Sequence, residues 1–217
     1  IGLETITNLM IGDNVTNELN YNIINLFPVS IHQFDVNDFD KEKDELINYA
    51  YDLKKKDPDG RRISNRGGWQ SPSFDIGNKD DVMHSFLRKC LNNFPTIKES
   101  VSLFVYAWIN INKPGNFNLK HHHPTCDLSG VVWLKAPENS GKITFENPVE
   151  FQTYNLIQSH TEEYKKSNNF CHTWFFKPIE GRMLVFPSYL LHDVGENKSD
   201  EDRISVSFNI RLSDEGV

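Results

Sequence analysis

The sequence predicts an α+β protein, mainly β: an antiparallel sandwich or barrel with helices packed on one face. Two helical stripes come early in the chain, six short strand-like runs follow from about residue 100, and turn residues separate those runs. A length of 217 residues suits one domain with a substantial core. Within it, 1–97 reads as an N-terminal strand and helices, and 98–212 as the β core, interrupted by an insertion at 152–169.

Residues 1–25 show no clear period and are expected to form a strand or an arm laid against the body. Asn25–Asp35 alternates apolar and polar residues after Pro28 and predicts a strand. A helix is predicted over 38–56, where Leu46, Ala50 and Leu53 share one stripe with Ile47 and acidic residues fill the first turns. Lys54, Lys55 and Lys56 close it at the negative end of its dipole. The Pro- and Gly-punctuated stretch 57–73 is expected to be a long loop. Beside Gly67 and Gly68, Trp69 and Gln70 suggest a mobile flap, with Arg61, Arg62 and Arg66 placed to meet an anionic substrate; the alternative is a solvated loop anchored by the Trp.

A second helix is predicted over 79–93, with Met83, Leu87, Cys90 and Phe94 on one stripe widened by Val82 and Phe86. The predicted strands are Val101–Ile111, Gly130–Lys135, Lys142–Phe145, Thr173–Phe176, Arg182–Phe186 and Arg203–Leu212. The charged run in Gln152–Asn169 predicts a helical or irregular insertion.

Composition narrows the class. Hydrophobic content of 38% with 24% charged residues is that of a globular protein in water, and no apolar run approaches the roughly 20 residues that span a bilayer. The start, IGLETITNLM, has no basic flank or apolar core of a signal peptide. A net charge of −7 argues against a general nucleic-acid binder. Cys90, Cys126 and Cys171 are odd in number and form no C-x-x-C pair, so reduced thiols and a cytoplasmic location are expected.

The chemistry concentrates in AWININKPGNFNLKHHHPTCDLSGVVWL, residues 107–134. In an extended segment His121 and His123 share one face and His122 takes the other. Two imidazoles on one face form half of a metal site, and His192, in FPSYLLHDVGEN, is the candidate for the other half. Upstream, Trp108, Asn110 and Asn112 alternate with Ile109 and Ile111, so isoleucines packed on helices leave the asparagines lining the barrel interior. Downstream, Arg203 and Ser205 face the same way, a guanidinium with a neighbouring hydroxyl that suits a carboxylate.

The order H-x-H, distal His, then R-x-S about ten residues on resembles the Fe(II)/2-oxoglutarate-dependent oxygenases. The texture of WININKPGNFNLKHHHP, DLSGVVWLKAPENSGKITFENP, GRMLVFPSYLLHDV and RISVSFNI resembles a branch found in bacteria and marine phages, over roughly Asn25 to Leu212. KHHHPT is more faintly similar to the aspartyl/asparaginyl β-hydroxylases.

The resemblance implies a double-stranded β-helix, the jelly-roll or cupin-like barrel, with His121 and His192 as Fe(II) ligands. It also implies 2-oxoglutarate and O2 as co-substrates, with the far carboxylate of 2-oxoglutarate on Arg203 and Ser205 and with Asn110 beside the cofactor. The family's usual carboxylate, two residues after the first His, is His123 here. The third ligand is then His123, water, or Asp127 reaching in, and His123 is favoured by its shared face. Trp69 and Gln70 are expected to cover the substrate, with Asn112 and Trp133 as walls. The primary substrate is not legible.

Two rivals stand beside this reading. Gly115, the H-x-H, Gly181, Pro187 and His192 approximate the cupin motifs, and a cupin enzyme shares the barrel. A non-catalytic jelly roll holding structural zinc needs a fourth ligand, such as Cys126 or Asp127.

Overall fold

The computed structural model describes residues 28–77, 81–92, 94–98, 100–149 and 153–214. The arm expected over 1–25 and the first residues of the helix expected from 79 lie outside the described residues.

Two strands of twelve residues each, β5 (Val101–Asn112) and β12 (Arg203–Asp214), pair antiparallel from Arg203↔Asn112 to Asp214↔Val101. Their sequences alternate, so each presents an apolar face and a polar one. Val105, Ala107, Ile109 and Ile111 of β5 and Ile204, Val206, Phe208 and Ile210 of β12 are buried in one core. Helices α1 (Phe39–Lys56) and α2 (Val82–Leu91) complete that core with Phe39, Leu46, Ala50, Met83, Phe86 and Leu87. The helices therefore pack on one face of the sheet, as the sequence predicts. The Asp81 side chain caps α2 by accepting from the backbone N–H of His84 at 3.0 Å.

Among the described residues, the larger sheet runs β1 (His32–Asp35), β10 (Arg182–Pro187), β7 (Leu128–Lys135), β12, β5, β3 (Trp69–Gln70). β4 (Phe74–Asp75) also pairs with β5. The smaller sheet runs β2 (Asn65–Arg66), β6 (Phe117–His121), β11 (His192–Val194), β8 (Ile143–Glu146), β9 (Thr173–Phe176). Val131, Trp133, Ile143, Phe145, Leu184, Phe186 and Leu190 form a second core between the sheets. Two antiparallel sheets enclosing an interior, with helices outside, are the double-stranded β-helix. The insertion folds as helices α3 (Thr153–Ser159) and α4 (Glu162–Ser167).

The stretch 57–73 departs from the expected loop. Its two-residue strands pair with β6 and β5, too short to leave any periodicity in the sequence. Trp69 is buried and its indole N–H donates to the Asp57 carbonyl at 2.7 Å, so it is a fixed part of the core and not a mobile flap. The turn is closed by Gly60, at φ +58, where a Cβ would lie 2.6 Å from the Gln70 carbonyl oxygen. Of the strand expected over Asn25–Asp35, residues 25–27 lie outside the described residues, and among the described ones it runs His32–Asp35.

Gly130 sits in β7 opposite Val185 and Phe208, and a Cβ there would lie 2.3 Å from the Phe208 ring and 2.7 Å from the Leu184 carbonyl oxygen. Phe208 is fully buried and has nowhere to retreat. Gly130→Ala is expected to destabilise the fold by about 1–3 kcal/mol through overpacking, measured by denaturant unfolding, and Phe208→Leu added to it should recover part of the loss.

Candidate active site

His121 ends β6, His192 opens β11, and the two are direct register partners. Their ring centroids lie 4.4 Å apart. His123, two residues past β6, returns to them because its backbone N–H donates to the Ser188 carbonyl at 2.9 Å. Its ring lies 5.0 Å from that of His121 and 5.2 Å from that of His192. One ligand atom from each of the three falls within 4.8 Å of the others. His122 is exposed, as its place on the other face requires.

Hydrogen bonds fix two of the three rings. The Nδ1–H of His121 donates to the Leu119 carbonyl at 2.7 Å, and that of His192 to the Leu190 carbonyl at 2.8 Å. A carbonyl only accepts, so Nδ1 carries the proton in both and Nε2 keeps its lone pair for a metal. The His123 ring is placed by packing, 5.8 Å from Trp108 and stacked on His192. Burial, and then the neighbouring imidazoles, hold His123 down to about 3 and His192 down to about 4. Burial likewise lowers His121. All three are neutral imidazoles at neutral pH. Such a set suits iron, nickel, copper or zinc far better than a hard, oxygen-seeking cation.

The opposite wall is the polar face of the β5–β12 pair. Register sets Arg203 beside Asn112, Ser205 beside Asn110, Ser207 beside Trp108 and Asn209 beside Tyr106. All eight, with Trp133 and the histidines, line one cavity of about 440 Å3. Arg203 is 2% exposed, and its Nη1 donates to the carbonyls of Ser140, Gly141 and Gly195. Gly141, at φ +95, is required there, because a Cβ would lie 2.7 Å from that nitrogen. Burial lowers the guanidinium to about 10, and it stays charged at neutral pH. No carboxylate lines the cavity among the described residues.

Asn110 donates from Nδ2 to the Ser207 hydroxyl at 3.0 Å, and its Oδ1 is buried without a partner. Because a serine hydroxyl donates as readily as it accepts, the amide can present either end to a ligand. Asn112 is held through its carbonyl by Asn197 Nδ2 at 2.9 Å. Gln70 and Asn112 line the cavity, while Trp69 does not.

Several expected contributors are elsewhere. The Asp127 carboxylate accepts from the Leu212 amide at 2.8 Å, outside the cavity, and so does not reach the histidines. The Cys126 thiol lies 2.8 Å from the Tyr106 hydroxyl. With both engaged there, neither completes the closed four-ligand site that structural zinc requires. Arg61 pairs with Asp57 at 3.3 Å, while Arg62 and Arg66 line a separate groove. Ser207, Asn209 and Tyr106 were missed, although the alternation through Arg203 and Ser205 continues to Ser207 and Asn209. The carbonyl cradle of Ser140, Gly141 and Gly195 left no sequence signal.

Residues 106–209 match the family described as "Putative 2OG-Fe(II) oxygenase". No curated protein matches the chain. Among solved structures, a Pseudomonas putida prolyl-4-hydroxylase aligns at 14% identity and a TM-score of 0.59, over 84% of this chain and 92% of that one. The α-ketoglutarate-dependent epimerase SnoN of nogalamycin biosynthesis aligns at 13% identity and 0.57, over 84% and 76%. HygX from Streptomyces hygroscopicus, solved with nickel and 2-oxoglutarate, aligns at 10% identity and 0.54, over 84% and 83%. At these identities the likeness is one of fold.

The depressed histidines set a pH dependence. An unfolded histidine titrates near 6.5, so between about pH 6.5 and 4 the unfolded chain binds more protons than the folded one. The stability from neutral burial is present in full above that window and is lost as pH falls through it. The melting temperature of the metal-free protein should therefore drop between about pH 7 and 5, and less steeply in His123→Gln.

Proposed function

We propose that residues 106–209, which match the 2OG-Fe(II) oxygenase family, form an oxygenase core in which His121, His123 and His192 hold Fe(II) while Arg203 and Ser205 receive the far carboxylate of 2-oxoglutarate. The observation that carries this reading is a buried guanidinium in a cavity with three neutral imidazoles and no carboxylate. Burying a charge costs several kcal/mol unless a partner offsets it, and three carbonyls do so only in part. An anionic ligand completes the balance. Nothing in a cupin reading calls for that buried cation.

Fe(II) and 2-oxoglutarate held there would supply oxidative decarboxylation by O2 coupled to oxidation of a second substrate. The chain's own residues bind, orient and exclude water. Arg203 anchors the dicarboxylate at one end of the cavity, Ser205 adds a hydroxyl donor, and Asn110 turns its amide nitrogen toward the same ligand. Trp133 closes the wall beside Ser205, which it faces across the strands. Trp108, Tyr106, Ser207 and Asn209 are left for the primary substrate, which meets hydroxyls and amides and no charged side chain on that wall.

Replacing the usual carboxylate with His123 makes the protein ligand set neutral. Such a set would leave a bound divalent metal its full charge, and an anionic chelator would be held more firmly than by a set containing a carboxylate. No described helix is long and apolar enough to cross a membrane. All three cysteines are free, which supports a reducing compartment for the chain.

Anaerobic titration with Fe(II) and then 2-oxoglutarate, followed by visible absorption, tests the assignment. Arg203→Ala should keep Fe(II) and weaken 2-oxoglutarate by at least about tenfold, or 1.4 kcal/mol. His192→Ala and His123→Ala should lose metal affinity where His122→Ala does not. Unchanged iron affinity in His123→Ala would remove it from the ligand set.

A further inference from the structure

The cations expected to meet an anionic substrate from the 57–73 stretch do not reach the cavity, yet they are not scattered. Arg62 and Arg66 converge with Lys54, from the last turn of α1, and Lys113, just past β5, on one groove. Its floor is Gly67, Gly68, Trp69 and Ile111. Among the described residues none of the four has an acidic partner within ion-pair distance, and Arg66 donates to the carbonyls of Ile63 and Asn65. Elsewhere Lys43, Lys89, Lys120, Lys135 and Arg182 each pair with a carboxylate. In a chain of net charge −7, four unpaired cations around one concavity are a local inversion of the field.

The neighbouring acids offset them only in part: Asp59 lines the groove, Asp57 pairs with Arg61, and Asp202, which accepts the Tyr51 hydroxyl at 3.0 Å, raises Lys54 by less than burial and Lys113 lower it. Counting the lining side chains, four positive charges less one negative leave a formal charge of +3. Burial and the charge of Lys113 both lower the Lys54 ammonium, so the two amines repel across the groove.

We propose that this groove is a second ligand site, distinct from the histidine cavity, that binds a phosphoryl-bearing small molecule through Lys54, Arg62, Arg66 and Lys113. A charge of +3 matches a diphosphate better than a single carboxylate. Donors arriving from a helix end, a strand end and the intervening turn suit tetrahedral oxygens, whereas a planar carboxylate is met by one guanidinium fork. The site is independent of the oxygenase reading. It shares a wall with the cavity, however: a Cβ on Gly68, in the groove floor, would lie 2.7 Å from Asn112 Nδ2, which lines the cavity.

Calorimetric titration of the whole chain with inorganic pyrophosphate, in chelator-treated buffer, tests this. Saturable binding is expected, at least about tenfold weaker in Arg62→Ala/Lys113→Ala and a few-fold tighter in Asp59→Asn. It should weaken as ionic strength rises from about 0.01 to 0.15 M, over which the Debye length falls from about 30 to 8 Å. Arg203→Ala should bind pyrophosphate like the parent. Loss in Arg203→Ala with retention in the groove variant would put the anion in the cavity and overturn the proposal, as would the absence of saturable binding. Citrate binding equally well would overturn the phosphoryl assignment.

Discussion

The continuous antiparallel pairing of β5 with β12 is the constraint on which the rest of the structure depends. A strand alternates its side chains strictly, and these two keep a single register from Arg203↔Asn112 to Asp214↔Val101. One choice of register thus orders two different surfaces. The apolar set anchors α1 and α2, and the polar set becomes a wall of the cavity. A slip by one residue would turn Ile109 and Val206 toward the histidines and bury Asn110 and Ser205 against the helices. The apolar packing that stabilises the domain also aims the polar side chains.

The polar face is tolerable because nearly all of it is satisfied. Asn110 bonds Ser207, Ser129 bonds Asn209, and Asn197 ties Asn112 to the loop before β12. Arg203 is the exception in kind, a buried charge held by neutral carbonyls. Such an arrangement favours an anionic partner, since a carboxylate would give a desolvated cation a counter-charge. The histidines are the complementary case. His192 is buried and His121 and His123 partly so, all as neutral bases, and their electrostatic cost appears only on protonation.

The smaller sheet contributes precision of a different sort. His121 and His192 are cross-strand partners, so the distance between their rings follows from strand spacing. Their tautomers follow from carbonyls two residues upstream of each, at Leu119 and Leu190. His123 lies past the end of β6 and depends on a backbone bond to Ser188 and on packing against Trp108. The least regular of the three stands where the family's usual carboxylate would be.

Much of this was legible in the residues because strand periodicity is local. The alternation of Trp108, Asn110 and Asn112 with Ile109 and Ile111, the shared face of His121 and His123, and that of Arg203 and Ser205 each need only a period of two. The two helices and the β core needed only their apolar stripes and turn residues. What tertiary structure alone decided was every relation between distant segments. The fate of Trp69 depended on two-residue strands whose only reason to exist is the neighbour they pair with. The exclusion of Asp127 rested on the Leu212 amide, 85 residues away in sequence. The cradle around Arg203 is made of backbone carbonyls, which every sequence carries and only a fold can bring together.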